Sequence, residues 1–320
     1  MTNSLRDMPI LFIAARIVGK QCLTAALDAG ANIAGLLYLD DKKAGVTVAH
    51  TQFDDVIAAH NLNARTFASL KGQEGAAHLD WAKTFAPRLG IICGVSELIK
   101  DELLTLPGLG FIGMHPTMLP VGRGRAPIPW AIILGLKETG VTWFYLDPGA
   151  DTGDILIQQS VPVLDTDTSS TLGARTDDVA AALLCKALPL LASGQAPRIK
   201  QDESAATEWP RRKPEDGIID WSRDAGALCR WVRALTHPYP GAFTVVMGRK
   251  LWVWSAERVI VPLAGAPGEV LKVDDRGAIV ATGKGLLHVT RVQWEGRTEA
   301  SPLDAGIKPR MRLGQLVNAA

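Results

Sequence analysis

The chain reads as an α/β protein: an open, mostly parallel sheet first, then a smaller β-rich barrel. Three observations predict this. Apolar runs of strand length alternate with alanine- and leucine-rich helical stretches over the first half. The early strands are continuously apolar, which suits a parallel sheet covered on both faces. Beyond a polar, Pro- and Gly-containing stretch near residue 200, the pattern changes to several short strands separated by turns, as in a small barrel.

Residues 9–15 form the first apolar run, 16–29 a helix ended by Gly30 as a C-cap, and 33–39 a second strand stopped by Asp40-Asp41. Helical stretches follow at 53–59 and 75–85, a strand at 89–93 and a short helix at 100–106. A strand then runs into His115, and 126–134 is helical. Residues 141–146 and 155–163 read as a long antiparallel pair around the acidic turn Asp147-Pro148-Gly149-Ala150-Asp151. An amphipathic helix spans 169–191, with Asp167 and Thr168 as caps. The expected divisions are a catalytic domain at 1–200, a linker at 201–214 and a barrel-like domain at 215–320. The last holds a helix at 225–235 and strands at 243–247, 250–255, 268–273, 278–282 and 286–294.

The composition is that of a well-packed globular protein, 47% apolar and 21% charged, with a formal charge of +1. That balance argues against nucleic acid as the partner, since a basic face is the usual footprint. Arg211-Arg212-Lys213 reads as a solvated stretch of linker. No apolar run approaches membrane-spanning length, and the polar start is unlike a signal peptide, so a cytoplasmic setting without membrane contact is expected. The four cysteines, Cys22, Cys93, Cys185 and Cys229, are scattered without metal-ligand spacing and read as small buried hydrophobes. No metal is expected.

His115 and Asp151 carry the chemistry. Each ends an apolar strand, so the two can meet in space, and an imidazole beside a carboxylate is suited to proton transfer near neutrality. The loop Gly122-Arg123-Gly124-Arg125 lies directly after His115 at the carboxyl edge of the sheet, where open α/β sheets bind ligands. Its glycines permit close backbone approach and its arginines favour an anion. No dinucleotide fingerprint follows the first strand, and no phosphate-cradling loop or nucleophile elbow is present.

His115-Pro116-Thr117-Met118-Leu119-Pro120, Arg123-Gly124-Arg125-Ala126-Pro127-Ile128, Glu138-Thr139-Gly140-Val141-Thr142 and Asp147-Pro148-Gly149-Ala150-Asp151-Thr152-Gly153-Asp154 together resemble the folate-dependent formyltransferase family. That family includes methionyl-tRNA formyltransferase and the N-formyltransferases of nucleotide-linked amino sugars. Ile218-Ile219-Asp220-Trp221 and Pro238-Tyr239-Pro240-Gly241-Ala242-Phe243 resemble the opening of its C-terminal domain. The resemblance implies a Rossmann-like formyltransferase domain followed by an OB-like barrel.

It also implies roles for particular residues. His115 shuttles protons, and Asp151 orients the ring and stabilises the imidazolium. Gly113 stands where the family has an asparagine whose amide holds the developing oxyanion, a contribution of about 3 kcal/mol. Three explanations are open: a protonated His115 or a water as donor, help from the acceptor, or loss of transfer. 10-Formyltetrahydrofolate is the implied co-substrate, bound by Gly94, Val95, Leu98, Asp147, Gly149 and Ala150. Thr117 either bonds substrate or caps the loop. Arg123 and Arg125 meet the phosphates of a nucleotide sugar or the folate's glutamate tail.

The stretch after the second strand, Asp40-Asp41-Lys42-Lys43-Ala44-Gly45-Val46-Thr47, is short and charge-balanced, whereas methionyl-tRNA formyltransferase has a basic insertion there. The expected acceptor is therefore a small amine, a nucleotide-linked amino sugar, with a homodimer among the assemblies the resemblance allows. The alternatives are formylation of methionyl-tRNA, hydrolysis of formyltetrahydrofolate, and a non-catalytic binding protein.

Overall fold

The computed structural model describes residues 4–95, 97, 99 and 101–314. The strands are β1 Ile10–Ala14, β2 Ile33–Leu39, β3 Ala64–Phe67, β4 Leu89–Cys93, β5 Phe111–His115, β6 Arg123–Gly124, β7 Glu138–Tyr145, β8 Ile155–Pro162, β9 Glu208–Trp209, β10 Ala242–Val246, β11 Arg249–Val259, β12 Val270–Asp274, β13 Gly277–Ala281 and β14 Leu286–Trp294. The helices are α1 Ile17–Asp28, α2 Asp54–His60, α3 Gly72–Lys83, α4 Asp101–Leu104, α5 Pro127–Ile133, α6 Ser169–Ser193 and α7 Ala225–Leu235.

The chain divides into two compact units. The first holds Met1–Pro127, Glu138–Pro162 and Ala174–Pro210; the second holds Ile128–Lys137, Val163–Gly173 and Arg211–Ala320. The expected linker at 201–214 is thus corrected. Its first ten residues belong to the first unit, because β9 pairs in parallel with β6 there. Arg212 is not a solvated linker residue either: its guanidinium lies 4.5 Å from the Trp231 ring centre and 5.1 Å from that of Trp130, within the second unit.

In the first unit a seven-stranded sheet runs β3-β2-β1-β4-β5-β7-β8. The β3, β2, β1, β4 and β5 pairings are parallel; β5–β7 and β7–β8 are antiparallel. Every residue of β1 and β4 is buried, as their unbroken apolar sequences require. One core cluster gathers Leu11, Ile13, Leu37, Phe67, Trp81 and Phe111. Gly35 of β2 has no side chain because Phe85 and Trp81 fill that place, Trp81 meeting Phe85 edge-on at 5.1 Å. The strand order turns about the β1/β4 boundary, so the carboxyl ends of β1, β4 and β5 open onto one crevice.

In the second unit a five-stranded antiparallel sheet runs β10-β11-β14-β13-β12. Its outer edges are covered by other backbone. Arg310 N and Val270 N exchange bonds with Val270 O and Met311 O (2.7 and 2.9 Å), Leu313 N reaches Gly268 O (2.8 Å), and Gly314 N reaches Val245 O (2.9 Å). Ile219 N donates to Phe243 O on the other side (2.7 Å). Helix α7 starts at Asp224, whose carboxylate caps Gly226 N and Ala227 N. All four cysteines are free; Cys22 and Cys93 are buried, Cys185 and Cys229 partly so. Among the described residues no helix is long and apolar enough to cross a membrane.

Candidate active site

Strand β5 ends at His115 because Pro116 cannot extend the ladder. The next residues fold back, with Thr117 N donating to His115 O (3.0 Å). The glycine-rich loop then passes beneath the imidazole. His115 is 6% exposed, and its Nε2 lies 2.8 Å from the Gly122 carbonyl oxygen. A carbonyl only accepts, so Nε2 carries a proton and Nδ1 is the nitrogen that exchanges. Nδ1 faces Asp151 Oδ2 at 3.6 Å, an ion-pair distance rather than a hydrogen bond. The contact with Gly122 O holds the ring, and the Asp151 carboxylate faces Nδ1 beyond hydrogen-bond reach, whereas the sequence expectation gave Asp151 the orienting role as well.

Asp151 sits on the turn between β7 and β8 with φ 59°, a left-handed conformation that aspartate tolerates better than most residues. Its Oδ2 accepts from Gly124 N (2.9 Å), tying the acidic turn to the glycine-rich loop. Asp147 Oδ1 accepts from Gly149 N (3.0 Å) and Thr152 Oγ1 (2.7 Å), which closes the turn on itself.

Beside this pair is a cleft of about 110 Å³. Gly113 and Met114 of β5, Ile92 of β4, Gly94 and Val95 just after β4, and Leu146, Asp147, Gly149 and Asp151 line it. His115 itself is not among the lining residues. The walls suit a flat, apolar-faced heterocycle: Ile92, Ile99, Leu104 and Phe144 are apolar, while the Gly94-Val95 and Asp147–149 segments offer backbone polar groups. Leu98 lies outside the described residues. Ala150 is exposed and away from the cleft lining. Glu97, which the sequence does not single out, lines the cleft and accepts from Ser69 Oγ (2.9 Å) and Leu70 N (3.0 Å).

The other expected ligand-binding residues divide. Thr117 is buried at 1%, its Oγ1 without a hydrogen-bond partner among the described residues, so it does not face open solvent. Arg125 is exposed. Arg123 is not free for a phosphate. It is 5% exposed and its guanidinium donates to both oxygens of Glu203 (2.9 and 2.7 Å) and twice to Gln201 Oε1 (3.1 and 2.8 Å). The Glu203 bond holds the Arg123 guanidinium above its ordinary range and Glu203 below its own. On the segment carrying these partners, Thr207 Oγ1 accepts from Gly122 N (2.8 Å), and the Trp209 ring packs where a Gly122 side chain would stand.

A histidine and an aspartate converging at the carboxyl edge of a seven-stranded mixed sheet, beside a cleft with apolar walls, define a site for proton-assisted group transfer. Two family models cover most of the chain: formyl transferase over residues 13–188 and formyl transferase, C-terminal domain, over 211–305. The chain belongs to the formyl transferase family, and the folate-dependent transferase class expected from its motifs is the class found.

Among relatives, methionyl-tRNA formyltransferase from Pelotomaculum thermopropionicum is 33% identical over 300 residues, 93% of this chain and 94% of that protein. The protein of the same name from Anaeromyxobacter dehalogenans is 41% identical over 239 residues, 72% of this chain and 76% of that one. Among solved structures, the N-formyltransferase from Helicobacter canadensis in complex with folinic acid and dTDP-3-aminofucose superposes with a TM-score of 0.66 at 13% identity, covering 90% of this chain and all of that one (100%). HypX from Aquifex aeolicus in complex with tetrahydrofolic acid gives 0.67 at 19% identity, covering 93% of this chain but 46% of HypX. At such identities the structural likeness speaks for the fold alone.

Proposed function

We propose that the protein moves the formyl group of 10-formyltetrahydrofolate onto a primary amine, and that the amine is the aminoacyl group of methionyl-tRNA. The His115 Nδ1–Asp151 contact beside the cleft carries the chemistry of this reading. The relatives that match over nearly the whole chain carry the choice of acceptor, against the amino sugar expected from the sequence.

In this reading the amine nitrogen attacks the formyl carbon and loses a proton to Nδ1 of neutral His115. The resulting imidazolium is stabilised by Asp151 and keeps its Nε2 proton on Gly122 O. The proton then passes to the folate N10 as its bond to carbon breaks. The formyl oxygen gains negative charge on the way, and Gly113 offers it no side chain. In this reading the imidazolium supplies compensating positive charge.

A nucleotide-linked amino sugar is the second reading, favoured by the stretch after β2. It is a short 3-10 turn, Asp41–Val46, held by His50 Nε2 against Asp41 (2.8 Å), with two lysines beside two aspartates. Purified protein with 10-formyltetrahydrofolate is tested on methionyl-tRNA, on a panel of nucleotide-linked 3- and 4-amino sugars, and without acceptor. Formyl-methionyl-tRNA is expected. Formylated sugar alone establishes the second reading, and formate release without acceptor establishes hydrolysis.

A further inference from the structure

We infer that Gln201, outside any site assigned so far, is a positioning residue that sets Asp151 against His115. The inference rests on the proposed roles of those two residues. Gln201 Nε2 donates to the backbone oxygens of Asp151 (2.9 Å) and Gly153 (2.7 Å), while Oε1 accepts twice from Arg123 (3.1 and 2.8 Å). These partners fix the amide's orientation without ambiguity. Arginine has only donors and a carbonyl only accepts, so oxygen must face Arg123 and nitrogen must face the acidic turn.

The amide thereby joins the two loops that meet at His115. On one side is the turn whose Asp151 stands in the left-handed region, a conformation that costs energy unless its surroundings impose it. On the other is the loop whose Gly122 carbonyl orients the imidazole and whose Gly124 N–H holds Asp151 Oδ2. Arg123 is itself braced by the two oxygens of Glu203. Gln201 is not itself among the residues that line the cleft, and it acts through the backbone of Asp151, where the turn and the loop share a hydrogen-bonding partner on a third segment.

Gln201→Met keeps the side chain's length and removes both polar ends; Gln201→Glu keeps an acceptor for Arg123 but turns oxygen lone pairs toward the two carbonyls. In the full-length protein, each is expected to lower kcat for methionyl-tRNA formylation by about 10–100-fold, the cost of a small misplacement of a reacting pair. KM for 10-formyltetrahydrofolate should change less than about 3-fold. In ring-nitrogen NMR at fixed pH, each should move the His115 Nδ1 resonance in the direction that Asp151→Asn moves it. A kcat loss that merely follows a lower Tm, with the His115 resonance at its wild-type position in the variants and displaced in Asp151→Asn, overturns the inference. So does a resonance that Asp151→Asn itself leaves unmoved. If the wild type formylates no acceptor, the functional reading fails, and the NMR comparison still decides the role of Gln201.

Discussion

Leu146 occupies the space into which a side chain at Gly113 would project: a Cβ there would lie 2.7 Å from Leu146 Cδ2 and 3.4 Å from Ile92 Cγ2. The absent family amide and the leucine after β7 are therefore one feature. Gly113→Asn alone must push Leu146 aside, and overpacking of this kind costs about 1–3 kcal/mol. We expect it to lower Tm without raising transfer. The double variant with Leu146→Ala should recover transfer and exceed wild type about 10-fold, measured by single-turnover formylation. A gain from the single variant would show that Leu146 yields readily.

Removing the proposed proton carrier should be severe. His115→Ala is expected to lower kcat/KM by about 10²–10⁴-fold, the usual range for a general acid–base group. Asp151→Asn is the cleaner test of the carboxylate, because asparagine also accepts the left-handed backbone at φ 59°. It should lower kcat with little change in Tm, read by initial rates and melting in parallel.

Arg123 and Arg125, neighbours in one loop, should behave oppositely. Arg123→Ala leaves the Gln201 amide and Glu203 without their partner and should cost about 1–3 kcal/mol in denaturant unfolding. Arg125→Ala, on an exposed side chain, should change stability by less than about 0.5 kcal/mol. If Arg125 meets an anionic substrate, its loss appears as a higher KM.

Asp177 on α6 gives stability a pH dependence. Burial first, then the nearby Asp178, raise its carboxyl to about 7, with Arg16 opposing. Between the unfolded carboxylate range and pH 7 the folded protein holds a proton that the unfolded chain has released. Stability therefore falls as pH rises through that window and levels above it. Asp177→Asn should raise Tm by about 2–4 °C at pH 8, the shift of a 1 kcal/mol gain, and change it little near pH 4. Equal gains at both pH values would mean that packing, not ionisation, is responsible.

Much of the first unit was legible because its signals are local. The apolar runs at β1, β2, β4, β5 and β7 identify themselves; His115 ends β5, and Asp151 lies on the turn that follows β7. β3 was missed: Ala64-Arg65-Thr66-Phe67 is an edge strand with exposed positions and no alternating pattern. The polar segment that braces the site reads as linker, since Gln201-Asp202-Glu203-Ser204 has loop composition. Its bonds to the two loops reach partners 48 to 87 positions away, a relationship that no window of sequence displays. The same holds for Leu146, whose bearing on Gly113 exists only once β5 and β7 are adjacent. The acceptor is likewise not written in one window: the stretch after β2 points to an amino sugar, whereas relatives that match most of the chain are methionyl-tRNA formyltransferases.

Residues 310–314 stitch along β12 and touch β10, so both margins of the five-stranded sheet are occupied by chain from elsewhere in the same unit. An unguarded strand margin is a template for the next molecule. A protein shortened to end before Arg310 would present bare amides and carbonyls along β12, and self-association in concentrated solution should follow although every group around His115 is intact.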